Sequence, residues 1–235
     1  HTINKMIESK RFILVTSPRF SLGLFIILIT TSMFLYPGGT YHNTNTEGYI
    51  FSQNFLSDLG RWSAWNGDQN FYSSFFFSLS FLMVGIVFSV FYWQLPSLFA
   101  NDQKVYLLSR VGSIFGISGG IFLVGVSLTP GDVVLGPHNF FATWFIRFFL
   151  VSALCYTVVL YRSVTTQAKY GLGYAFFALF IAAYIGILEM GPDIKESLSA
   201  LKVQVVSQKL ICLTFIIAVA FQTLGNQEVL SNKGN

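Results

Sequence analysis

Six ionisable side chains in this sequence stand where charge is costly or where a polar group could do chemical work. Arg147 and Lys209 lie deep within apolar runs, and Glu189 closes a third such run. Asp58, Asp132 and His138 fall in or beside polar segments that adjoin the same boundary. An ionisable group inside a hydrocarbon-spanning segment is expensive, so each needs a partner or a task. Three roles suit these residue types. Lys209 and Arg147 can neutralise an anionic group such as a lipid phosphate. Asp132 and His138 can move a proton as a general acid–base pair, as in an intramembrane hydrolase or transferase, if they come within hydrogen-bond reach. The third role is structural: Arg147 or Lys209 pairs with Glu189 or Asp58 and only fixes helix register. Gln204 and Gln208 are four residues apart, so they share a helical face and add donors at the same level. Arg61 belongs to the same side of the chain.

Helical geometry constrains this set. His138 and Arg147 are nine residues apart, about 180° around a helix of 3.6 residues per turn. They serve one pocket only if His138 lies ahead of the helix, and Pro137 is a residue that commonly marks a helix start.

Several chemistries are not indicated. The histidines are His1, His42 and His138, with no two at ligand spacing, which argues against bis-histidine haem or a multi-histidine zinc site. No phosphate-cradling P-loop and no G-x-S-x-G elbow occurs, so neither ATP hydrolysis nor that hydrolase chemistry is expected. No cofactor is expected. Cys155 and Cys212 both fall in apolar runs and read as small buried hydrophobes rather than a disulfide.

The elements that must position these residues follow from composition. Of 235 residues, 53% are hydrophobic and only 10% charged, against roughly 25% charged in soluble domains. Twenty-six Phe and a mean hydropathy of +0.61 point to lipid as part of the solvent. Apolar runs at about 20–36, 70–94, 105–129, 139–161, 171–188 and 203–224 are long enough to cross a hydrocarbon core of about 30 Å. Their continuous rather than alternating pattern excludes a membrane β-barrel. The expectation is an all-α integral membrane bundle of six transmembrane helices. Residues 1–18 form an interfacial segment ahead of Pro18, too basic and too long in its following span for a cleavable signal peptide. The polar stretch 38–69 is a long loop of the kind that carries function.

Charge sets the orientation. Lys5, Lys10, Arg11, Arg19, Lys104, Arg110, Arg162, Lys169 and Lys233 share one side, while most acids lie on the other. By the positive-inside rule both termini are cytoplasmic and the long loop is extracytoplasmic, in a multi-pass protein of the cell (cytoplasmic) membrane. The net charge of +4 is spread between apolar spans, which is not a nucleic-acid footprint. Gly112, Gly116 and Gly120, and likewise Ala175, Ala178, Ala182 and Gly186, form small-residue stripes suited to close helix packing within the bundle.

The order of short motifs carries a resemblance. Ser57-Asp58-Leu59-Gly60 precedes the second span, which opens at Asn70-Phe71; Pro130-Gly131-Asp132 ends the third; His138 opens the fourth; and Gln208-Lys209 lies in the last. Over roughly Phe20 to Leu224 this resembles the prokaryotic membrane family called domain of unknown function 998, and more distantly the six-span Frag1/DRAM/Sfk1 group. The resemblance implies a compact six-helix bundle and marks Ser57, Asp58, Gly60, Pro130, Asp132 and His138. The leading expectation is a polar pocket on the extracytoplasmic side, formed by Ser57, Asp58, Arg61, Arg147, Glu189, Gln204, Gln208 and Lys209, that binds an anionic lipid or small anionic ligand. The alternatives are the Asp132–His138 enzyme and an accessory subunit of a larger membrane complex. Expected partners are membrane lipids, with a second membrane protein or another copy of the chain.

Overall fold

A computed structural model describes residues 2–232. Six helices are long and apolar enough to cross a membrane: α1 (Lys5–Leu35), α2 (Phe71–Leu98), α3 (Gln103–Leu128), α4 (Leu135–Arg162), α5 (Ala168–Met190) and α6 (Leu198–Asn232). In hydrocarbon every backbone N–H and C=O must find an internal partner, which is why such apolar runs become helices. The shortest, α5, spans 23 residues, or about 34 Å at 1.5 Å per residue. Among the described residues the only strand-like features are two isolated β-bridges, Gly38 with Glu47 and Ser63 with Gln69.

Each helix packs on its neighbour in sequence, and α6 returns to lie along α1. The result is a closed ring of six antiparallel helices. One end carries the two chain termini; the other carries the long loop and the α3–α4 and α5–α6 turns. Close approach depends on glycine in the way the stripe suggested, but toward two different neighbours. A Cβ at Gly120 would meet Gly85 O at 2.8 Å and one at Gly116 would strike the Tyr92 ring, both on α2. One at Gly112 would meet Cys155 on α4. On α5 the tight crossing is Gly173 over Ala218, 2.9 Å from a would-be Cβ, whereas Ala182 is exposed.

The last helix outruns its expected 203–224 at both ends, reaching Leu198–Asn232, and two other boundaries differ for reasons that proline supplies. The first helix does not stop ahead of Pro18. A wide π-turn, Phe12–Thr16, carries it from Thr2 straight through to Leu35. Proline has no N–H for the carbonyl four residues back, here Leu14 O, and Asn226 Nδ2 of α6 donates to that oxygen at 3.0 Å. The other boundary is α4, which begins at Leu135 rather than near 139, with Pro137 in its first turn.

Aromatic rings fill the ring interior nearest the termini. Phe215 meets Phe88, Phe177 and Phe149 at centroid distances of 4.9, 5.2 and 5.4 Å. One layer further toward the termini, Tyr92, Tyr156 and Tyr174 are fully buried. Their hydroxyls are satisfied by one another and by Ser113: Tyr92 and Tyr174 at 3.3 Å, Tyr156 and Ser113 at 2.6 Å. Burying three phenols in this way avoids the cost of an unpaired hydroxyl in an apolar core.

Candidate functional site

Residues 36–70 fold back over the open end of the ring as a lid. Its entry is a glycine turn. Gly39 adopts φ +83, and a Cβ there would collide with the backbone of Asn66, so only glycine serves. The 3-10 turn Leu56–Gly60 seats on α2, where the Gly60 backbone lies against the Phe77 ring.

Asn54, fully buried, organises the lid from within. Its Nδ2 donates to Gly39 O at 2.9 Å and to Asp58 Oδ2 at 3.2 Å, and its Oδ1 accepts from Ile50 N at 2.9 Å. Asp58 also accepts from Phe55 N at 2.9 Å and from Trp65 Nε1 at 3.0 Å. Burial pushes the Asp58 carboxyl above the ordinary carboxylate range, against the opposing pull of the Trp65, Asn54 and Phe55 donors and the Arg61 charge. Arg61 stacks over Trp65, 3.8 Å from the ring centroid, and its Nε donates to Ser63 O at 3.1 Å.

Besides Ser73 and Ser74 of α2, whose hydroxyls donate to Leu59 O at 3.4 Å and Gly60 O at 3.2 Å, four side chains pin the lid to the bundle. Asp132, in the α3–α4 turn, accepts from Trp62 N and Ser63 N, both at 2.9 Å. Gln208 Oε1 accepts from Leu56 N at 2.8 Å. Lys209 Nζ donates to Asn54 O at 2.6 Å and lies over the Phe51 and Tyr49 rings at 4.9 and 5.4 Å; carbonyl and π-faces together suit a buried ammonium. His42 Nε2 reaches Ile194 O at 2.7 Å, in the α5–α6 turn.

Beneath the lid lies a chamber of about 120 Å³, lined by side chains from all six helices and from Leu56 and Ser57 of the lid. Its body is apolar: Phe25, Phe81, Ile146, Ile181 and Ile211 form the walls, and Phe215 closes it toward the termini. Polar side chains enter at the lid end only, from Ser57, His138 and Gln208, with the Cys212 thiol one turn deeper. His138 Nδ1 sits 2.6 Å from Thr129 O. A carbonyl can only accept, so Nδ1 carries the proton.

No family model, no curated protein and no solved structure matches the chain. The fold and the chamber therefore rest on their own geometry.

All the candidate residues but Gln204 divide into three sets. Ser57, Gln208 and His138 come together at the chamber, although the sequence grouped them with charged partners. Asp58, Arg61, Asp132 and Lys209 are engaged in building and fastening the lid. Arg147 and Glu189 form an ion pair between α4 and α5, half-exposed on the bundle surface. Arg147 Nη1 also donates to Thr143 O at 2.8 Å, one turn nearer the helix end, as expected of a long cation reaching toward the membrane boundary. Because α4 includes His138, the two residues at opposite phases face opposite ways: the histidine is buried and the arginine meets Glu189. Gln204 is peripheral, its Nε2 3.4 Å from Pro192 O. Asp132 and His138 share no hydrogen bond among the described residues; each is committed to a backbone partner of its own. Asn54, which ties the lid together, carries no sequence signal, since one Asn among several in a polar loop looks like any other. The apolar walls are equally silent, being phenylalanines and isoleucines like those that face lipid.

Proposed function

We propose that this is a binding protein of the cell membrane that holds a small, largely apolar ligand in the lidded chamber, with both termini cytoplasmic and the lid facing outward. One observation carries the reading: in a ring otherwise closed by glycine contacts and stacked aromatics, a chamber bounded by all six helices remains. Cavities of this kind are rare in packed interiors. An apolar cavity of roughly 150 Å³ is enough to admit benzene, so a chamber of about 120 Å³ suits a ligand of similar size and excludes a whole phospholipid. The orientation is supported by an excess of basic side chains at the terminal end, Lys5, Lys10, Arg11, Arg19, Lys104, Arg110, Arg162 and Lys169 against Glu8, Asp102 and Glu228, and by the acids Glu47, Asp58, Asp68, Asp132, Asp193 and Glu196 at the lid end against Arg61, Lys195 and Lys202.

An anionic ligand has less to recommend it. Arg147 is occupied by Glu189, and Lys209 by Asn54 O and two rings. The proton-transfer reading lacks contact between its two residues. Filling the chamber tests the binding reading directly. Ala142 lines it, and Ala142→Phe inserts a ring there. Toluene should bind the purified wild-type protein saturably, by ligand-observed NMR, and Ala142→Phe should abolish the saturable part. Equal binding to both proteins would mean that only detergent or lipid takes up the probe, and the reading would fall.

A further inference from the structure

The polar end of the chamber is specific about what it can accept. Gln208 Oε1 faces the Leu56 backbone N–H; since that N–H can only donate, the amide orientation is decided and the Gln208 NH2 group is left with two donors. These donors have no partner among the described residues. His138 Nδ1 carries its proton toward Thr129 O, so the neutral ring leaves Nε2 as an acceptor, again with no partner among the described residues. Ser57 adds a hydroxyl, able to give or take, that makes no hydrogen bond among the described residues. All three line the chamber and lie at its lid end, opposite the Phe215 floor.

A ligand group that meets this set must be able both to donate and to accept. A ketone or quinone oxygen satisfies the Gln208 donors but leaves His138 Nε2 unmet. A carboxylate or phosphate brings oxygens with no proton against that same lone pair, with Lys209 committed elsewhere. An ammonium group finds no carboxylate at the chamber, because Asp58 and Asp132 are occupied with lid N–H groups. A hydroxyl fits: it donates to His138 Nε2 and accepts from Gln208 Nε2 or Ser57. Resting on the chamber-binding reading above, we propose that the ligand is a neutral alcohol or phenol, its hydroxyl at the His138–Gln208–Ser57 end and its hydrocarbon body against Phe149, Phe177 and Phe215. The volume limits that body to about five to seven carbons, on the scale of a cavity that holds benzene.

Phenol and toluene separate the hydroxyl from the hydrocarbon, because they have nearly the same shape. Both are titrated against the wild-type protein in detergent, with Ala142→Phe as the blocked reference. Phenol should bind roughly fivefold to tenfold more tightly than toluene, the worth of one net hydrogen bond. In His138→Leu the preference should vanish while toluene binding persists, which also shows that the variant is folded. Should His138→Leu not fold, Ser57→Ala and Gln208→Glu serve in its place, the latter keeping the acceptor for Leu56 N and losing the donors. Equal affinity for the two probes in wild type, or a phenol preference unchanged in these variants, would overturn the hydroxyl assignment and leave the chamber reading standing. Absence of any binding sensitive to Ala142→Phe would overturn both.

Discussion

At the scale of single residues, the polar groups at the lid end fall into those that hold structure and those left free. Asp58 is the clearest of the first kind. Its oxygens take N–H groups from Trp65, Asn54 and Phe55 in a site closed to water. Burial raises its pKa in the folded protein, so folding favours the protonated form. The stability that this contributes is complete below the unfolded value of about 3.9 and is lost as pH rises through the higher folded value. The midpoint of thermal unfolding, followed from pH 3.5 to 7, should therefore fall across that window. Asp58→Asn should flatten the dependence. The same substitution turns one acceptor into an NH2 facing an N–H, which should lower stability by about 1–3 kcal/mol at every pH. A wild-type profile no steeper than that of the variant would count against a titrating Asp58.

At the scale of elements, the α1–α6 seam closes the ring, and it is built around a missing hydrogen bond. Arg11, Leu14 and Arg19 on α1 meet Ser231, Asn226 and Thr223 on α6 at 3.0, 3.0 and 2.9 Å. The middle contact replaces the N–H that Pro18 lacks. Asn226→Leu should cost about 1–3 kcal/mol, because it strands a buried carbonyl. Pro18→Ala restores an N–H in α1, so Asn226→Leu should cost measurably less in that background. A double-mutant cycle by thermal or detergent-induced unfolding reads the coupling; strictly additive effects would show that the asparagine does not stand in for the proline's hydrogen bond.

At the scale of the whole molecule, the alternating helices put Asn45 in the lid and Asn101 in the α2–α3 turn, at opposite ends of the ring and both exposed. In a background with Cys155 and Cys212 replaced by serine, Asn45→Cys should react with an impermeant maleimide on intact cells. Asn101→Cys should react only after the membrane is opened. The reverse pattern would invert the proposed topology and place the lid in the cytoplasm.

Much of this architecture was determined by the sequence alone. Continuous apolar runs between polar breaks specify six helices, because a chain in hydrocarbon must satisfy its backbone within each segment; that is a local property, legible from the order of residues. The glycine stripe likewise announced close packing, since a missing side chain is visible without knowing the neighbour. The partners of the polar groups were not legible. Lys209 meets Asn54 across 155 residues, Asp132 meets Trp62 across 70, and Asn226 meets Leu14 across 212. One-sided clustering of charge therefore suggested an ionic pocket, where tertiary structure shows a fastened lid, a surface ion pair and an apolar chamber. Side-chain type states which bonds a group can make; which bonds it does make depends on what folding brings within 3 Å. A cavity is still less legible, because it is the space that residues from all six helices jointly fail to fill.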